Sequence, residues 1–157
     1  MTAPEAQLRS DVADATPKLE AISDAAASVP RAAGKWSRKE IVGHLIDSAS
    51  HNHQRFVRAQ FSDDLVSVPY DQGAWVSAQR YRDAPWVELV SLWEHFNLHL
   101  VRVIESIPRE IRDRKRTRHN LNQVAFHRIP ADEPATLEYF MRDYVAHLEH
   151  HLAQIFG

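Results

Sequence analysis

Residues 143–155 read DYVAHLEHHLAQI, and the spacing of their apolar side chains predicts the last helix of a bundle. Tyr144, Leu148 and Ile155, with Leu137 and Phe140 ahead of them, recur at helical intervals and give that helix one apolar face. His147 and His151 sit four residues apart, so at about 100° per residue they point within roughly 40° of each other, one turn apart. Imidazoles are expensive to keep where a helix shows its apolar face. A third, His44, stands in the same situation far upstream in EIVGHLIDSAS (residues 40–50).

The same periodicity marks three earlier helices. Leu8, Val12, Ala15, Leu19 and Ile22 form the first stripe; Thr16 and Pro17 in its middle predict a kink or a restart. The second begins at Ser37, where SRKE (residues 37–40) matches a capping box, and continues through Ile41, Leu45 and Phe56 to about Phe61. Residues 62–84, with Pro69 and Gly73, read as a long structured loop. The third helix opens near Pro85, carries Leu89, Trp93, Phe96, Leu100, Val103 and Ile107, and is ended by Pro108. Residues 109–133 show no clear period and form a second long connection, after which Pro134 opens the fourth helix.

Four such helices in 157 residues predict one all-α domain over 1–157, a four-helix bundle with two long connecting loops. The short first link makes helices one and two antiparallel neighbours. The second link is 23 residues long, enough to recross the bundle at about 3.3 Å per residue, which permits an up-down-down-up order. The histidines test that order. His44 lies about 10 Å into helix two, and the midpoint of His147 and His151 lies about 10 Å from the end of helix four, so antiparallel helices bring all three to one level. In a parallel pair, His44 would miss by roughly 8 Å.

Charge and composition narrow the functions. Nineteen basic residues against 21 acidic leave a net charge of −2, with no field to hold a polyanion, so neither nucleic acid nor an anionic membrane is expected as a partner. There is no cysteine, so the available metal chemistry is histidine and carboxylate. No GxGxxG or GxxxxGK[ST] pattern is present, which excludes phosphate-loop chemistry. The N-terminal MTAPEAQLRSDVADATP has no signal-peptide pattern, and the expected location is cytoplasmic.

Three neutral imidazoles suit Zn²⁺, Ni²⁺ or Fe²⁺ and leave a coordination position open, the pattern of a catalytic site. His44, His147 and His151 are therefore the candidate ligands, with a small molecule as substrate. Asp47 and Asp143 are spaced to orient His44 and His147, while Asn52 and Tyr144 fall on the same faces and could line a pocket. A helical HxxxH pair is also common by chance among ten histidines. His95 and His99 form a second such pair beside the stripe of helix three and read as a solvated face. His51, His53 and His150 point elsewhere, and nothing specific directs His119 or His127. Arg112, Arg114, Lys115, Arg116 and Arg118 read more simply as solvated surface than as an anion site, and Trp36, Trp75, Trp86 and Trp93 as core and loop anchors.

GKWSRKEIVGHLIDSASHN (residues 34–52) and YFMRDYVAHLEHHLAQI (residues 139–155) resemble the DinB superfamily, particularly its YfiT-like branch of metal-dependent hydrolases. The loop words YDQGAW (residues 70–75) and PADEP (residues 130–134) extend the resemblance across nearly the whole chain. It implies an up-down-down-up bundle holding one divalent metal, often nickel or zinc, on His44, His147 and His151. Related branches include thiol S-transferases and isomerases that take mycothiol or bacillithiol as cosubstrate. Three functions stay open at this point: a metal-dependent hydrolase or thiol S-transferase, a metal or small-ligand binding module without turnover, and a purely structural bundle. Bundles with exposed apolar helix edges often pair, so a homodimer is admitted.

Overall fold

Ser37 starts the second long helix as its sequence requires: its hydroxyl accepts the N–H of Glu40, and the Glu40 carboxylate accepts the N–H of Ser37 at 3.0 Å. That helix is one of eight in the computed structural model, which describes residues 1–157: α1 (Pro4–Glu20), α2 (Asp24–Ser28), α3 (Arg38–Arg58), α4 (Gln72–Gln79), α5 (Trp86–Ser106), α6 (Arg109–Asp113), α7 (Leu121–Val124) and α8 (Leu137–Phe156). The bundle is made by α1, α3, α5 and α8, each 17 to 21 residues long. No helix is long and apolar enough to cross a membrane.

Helix ends follow their capping chemistry, with two departures from the expectation. Pro17 does not restart the first helix, because so near its end it removes a single ladder bond; α1 runs through it to Glu20. The restart comes at Ser23, whose hydroxyl accepts the Ala26 N–H and opens α2. The last long helix begins at Leu137 rather than at Pro134, because Thr136 caps it by accepting the Tyr139 N–H at 3.0 Å.

Contacts at the helix ends fix the directions. Trp86 Nε1 donates to the Leu19 carbonyl at one end of α1 and α5, and Arg9 pairs with Glu105 at the other, so these two are antiparallel. Arg38 Nε donates to the Ile155 carbonyl while the ring of Phe56 meets that of Phe140 at 6.0 Å, which sets α3 against α8. Arg142 bonds the Thr2 carbonyl and Lys18 lies over the Phe156 ring, making α1 and α8 parallel. The order is up-down-down-up. α1 packs on α5 and α8, and α3 does the same, so α1 and α3 face each other diagonally. The expectation that they are neighbours fails because residues 21–37 carry α2 across the end of the bundle, where it packs on α3 and α5.

Both long connections hold more structure than their sequences announce. Asp71 caps α4 by accepting the Ala74 N–H at 2.9 Å, and Arg80 closes it in the left-handed region at φ 52°. The helix that follows from so local a signal directs Tyr81 against α3. A Cβ on Gly43 would fall 2.2–2.7 Å from three atoms of the Tyr81 ring, so glycine is required there to admit the ring. Gly43→Ala is expected to lower stability by about 2 kcal/mol through overpacking, against a helix-propensity gain of about 1 kcal/mol. Thermal melting checks the sign; an unchanged or raised Tm would mean that the ring is free to move.

The two connections are tied to each other and to the bundle. The Leu65 N–H donates to the Arg118 carbonyl, the Leu65 carbonyl accepts the Asn120 N–H, and the Asn120 side chain bonds both Ser67 backbone groups. Arg114, Lys115 and Arg118 of the basic run are exposed as expected, but Arg112 and Arg116 are buried and belong to this fastening. Arg112 is buried against Glu5 and Glu138, Arg116 is buried with Nη2 donating to the Ala59 carbonyl, and Arg114 and Arg118 reach Asp63 and Asp64. In α5 the buried face is centred one position from the expected stripe, since the helix is wedged between α1 and α3: Asn97 is fully buried and Phe96 only partly. Asn97 accepts the hydroxyl of Tyr144 across the diagonal of the core.

Candidate metal centre

Antiparallel α3 and α8 bring His44, His147 and His151 to one level, as the axial arithmetic requires. His44 Nε2 lies 3.1 Å from His147 Nε2, and His147 Nε2 lies 3.1 Å from His151 Nε2. One ring nitrogen from each lies within 4.8 Å of the others. Hydrogen bonding cannot account for this convergence. His151 Nδ1 donates to Gln154 Oε1 at 2.8 Å, so its Nε2 carries a lone pair, and His147 Nε2 holds at most one proton to share between two neighbours. His44 is fully buried and its Nδ1 has no partner.

Burial holds all three imidazoles in the neutral form that binds metals. It lowers the pKa of His44 to about 4 and that of His147 to about 3, with the neighbouring rings adding to the effect, and it lowers that of His151. Two nitrogens bound at about 2.05 Å to one ion stand about 2.9–3.4 Å apart for angles between 90° and the tetrahedral value. The two 3.1 Å separations fall in that range and the third pair of donors lies within 4.8 Å, so the three residues could hold a divalent metal ion once the outer two rings draw together.

The expected carboxylate partners are not where the spacing suggested. Asp47 turns away from the histidines: its Oδ1 accepts the Tyr81 hydroxyl at 2.6 Å and the Gln79 amide at 2.8 Å. Asp143 accepts the backbone N–H groups of Phe126 and His127, each at 2.7 Å, and His127 Nδ1 at 3.2 Å. The side chains that do meet the ligand rings are Gln154 on His151 and, at 3.5 Å, the Ser48 hydroxyl beside His147 Nδ1. Their helical offsets, three residues after His151 and four after His44, were available in the sequence. Spacing alone does not choose between Ser48 and Asp47.

Above the histidines lies a cavity of about 360 Å³. Its wall includes His147, His151, Asn52, Tyr144 and Asp143, so the two expected pocket residues do line it. Asp143 contributes by fixing the 125–128 segment, which sets the Phe126 ring 5.4 Å from that of His147. Trp36 closes the other side, 5.2 Å from His44. Among the other histidines, His95 and His99 are exposed on α5, His51 stacks on Tyr70 at 3.6 Å, and buried His119 bonds the Glu133 carbonyl and the Leu121 N–H, while exposed His150 borders the cavity with its ring 5.0 Å from that of His151. Of the tryptophans, Trp86 and Trp93 are core, while Trp75 is partly exposed over α3.

Comparison with known proteins agrees with this architecture. The chain is 25% identical over 137 residues to YfiT of Bacillus subtilis (strain 168), covering 87% of this chain and 71% of that one. Its fold is similar to that of the solved YfiT structure, with a TM-score of 0.78 and 22% identity over 98% of this chain and 82% of that one. YfiT is described there as a probable metal-dependent hydrolase with an unusual four-helix bundle topology. The sequence profile of the DinB superfamily matches residues 7–155, nearly the full length, and the chain therefore belongs to the DinB superfamily.

Proposed function

We propose that the protein is a metal-dependent hydrolase that acts on a small molecule in the cavity above His44, His147 and His151. The observation that carries the reading is the convergence of three neutral imidazole nitrogens, with no carboxylate among them, beside a cavity whose wall includes His147 and His151, with His44 buried behind them. An uncharged ligand set leaves the full charge of a divalent ion, Zn²⁺ or Ni²⁺ by donor type, directed at whatever enters. Such an ion supplies a Lewis acid and lowers the pKa of a water or thiol brought to it. The chain's own residues do the rest. Gln154 holds the His151 ring through its Nδ1, Asp143 fixes the loop that carries Phe126 beside His147, and Trp36 packs against His44 from the other side.

The test is turnover of ester and amide panels by the zinc- and nickel-loaded protein, each with and without a low-molecular-weight thiol. The expected result is metal-dependent hydrolysis that a chelator abolishes. Turnover only in the presence of thiol would reassign the reaction to S-transfer. Saturable ligand affinity with no product under any condition would make the protein a binding module and overturn the proposal.

A further inference from the structure

Arg55 projects from α3 into the wall between two cavities. One is the cavity over the histidines; the other, of about 610 Å³, lies between α3 and the 62–75 segment and is lined by Leu65, Val68 and Trp75. The Arg55 guanidinium is 5.6 Å from the centre of the Phe140 ring and 6.0 Å from that of Tyr70. No carboxylate pairs with it, and its single hydrogen bond is a long one, 3.4 Å, to the Val68 carbonyl. The acids that border the cavities are already engaged. Asp143 accepts two backbone amides, and Asp64 accepts the Ser62 hydroxyl and faces Arg118 at 3.8 Å.

A cation partly withdrawn from water without an anion weakens the fold that holds it, and the partial burial lowers the Arg55 pKa in the same sense. Contact with aromatic rings recovers part of that loss. A guanidinium directs its N–H groups within its own plane, in a fork that matches two oxygens of a carboxylate or phosphate, and with one long hydrogen bond the Arg55 fork is largely unused. We propose that Arg55 binds an anionic oxygen group of the substrate, so that the small molecule processed at the histidines carries a carboxylate or a phosphate. Its apolar part lies against Leu65, Val68 and Trp75. The identification of this anion as substrate rests on the metal-hydrolase reading; the anion site itself does not.

The experiment is therefore run on chelator-treated protein, where no metal competes for the oxyanion. Phenylacetate, phenyl phosphate and uncharged phenylacetamide are titrated by calorimetry. One of the two anions is expected to saturate with at least about tenfold higher affinity than the amide, and the preferred one identifies the group. Arg55→Met is expected to weaken that anion at least about tenfold while leaving Tm equal or higher; Arg55→Lys keeps the charge, loses the fork and falls between. Equal affinity for anion and amide, unchanged anion affinity in Arg55→Met, or no saturation of either anion by about 10 mM would overturn the proposal. Absent hydrolysis with intact anion binding would count against the metal-hydrolase reading alone.

Discussion

His147→Ala is expected to remove stoichiometric metal from the protein, lowering zinc affinity more than a hundredfold. His147 Nε2 is the middle donor, 3.1 Å from each of the other two, so its loss leaves two nitrogens that no longer define a closed site. Loss of a side chain that merely orients a ligand typically costs 10–100-fold, and loss of the ligand itself exceeds that. Metal analysis after dialysis, followed by competition with a chromophoric chelator, measures the change. The same measurement separates two readings of the surrounding residues. Gln154→Ala should weaken the metal about tenfold, because Gln154 fixes the His151 ring. Asp47→Asn should leave it within a few-fold, because its carboxylate serves Tyr81 and Gln79. Undiminished zinc in His147→Ala would sink the three-histidine assignment.

Arg112→Ala is expected to destabilise the protein by about 3–5 kcal/mol, the usual cost of removing one partner from a buried ion cluster. The Arg112 side chain, 7% exposed, bonds Glu5 on α1 and Glu138 on α8, at 3.0 Å and 2.7 Å from Nη2. Without it, Glu5 loses its hydrogen-bonded partner and Glu138 keeps only Arg142, at 2.7 Å. At about 2–4 °C per kcal/mol for a chain of this size, Tm should fall by about 6–20 °C. Restoring neutrality with Glu5→Gln and Glu138→Gln should recover much of the loss, a result that simple cavity formation would not give. The pH dependence has a definite sign. Burial opposes ionisation of Glu5, but the Arg112 hydrogen bond, a backbone hydrogen bond and the charges of Arg112 and Arg142 together outweigh it and hold the carboxyl below its ordinary 4.5. The stabilisation is thus complete at pH 7 and is lost as pH falls below about 4.5, and the dependence should flatten in the variant.

What the sequence made legible was what local chemistry decides. Ser37 and Glu40 set the start of α3, Pro108 the end of α5, and the level of His44 against His147 and His151 followed from counting residues along straight helices. What it concealed depends on how elements face each other. α4 is a short helix containing Gly73, too weak in period to stand out, and it forms where Asp71 caps it and α3 supports it. The stripe expected on the third helix runs through Phe96 and passes over Asn97 because it supposes a single buried face, whereas α5 packs on both α1 and α3. Asp143 has the right offset from His147 to orient it, yet two backbone amides of a distant loop claim both of its oxygens. Arg112 and Arg116, read by composition as surface, are drawn inward by acids and carbonyls that lie far away in the chain.

The bond from Tyr144 to Asn97 has a consequence at some distance from either residue. A helix packed through smooth aliphatic contacts can roll about its axis at little cost, and every side chain on it rolls too. Rolling α8 would strand a buried hydroxyl without its acceptor, which is costly in a dry interior. His147 follows Tyr144 by less than one turn. The bond therefore works as a key in a shaft, indexing the rotation of α8 from the opposite corner of the bundle and with it the aim of both imidazoles.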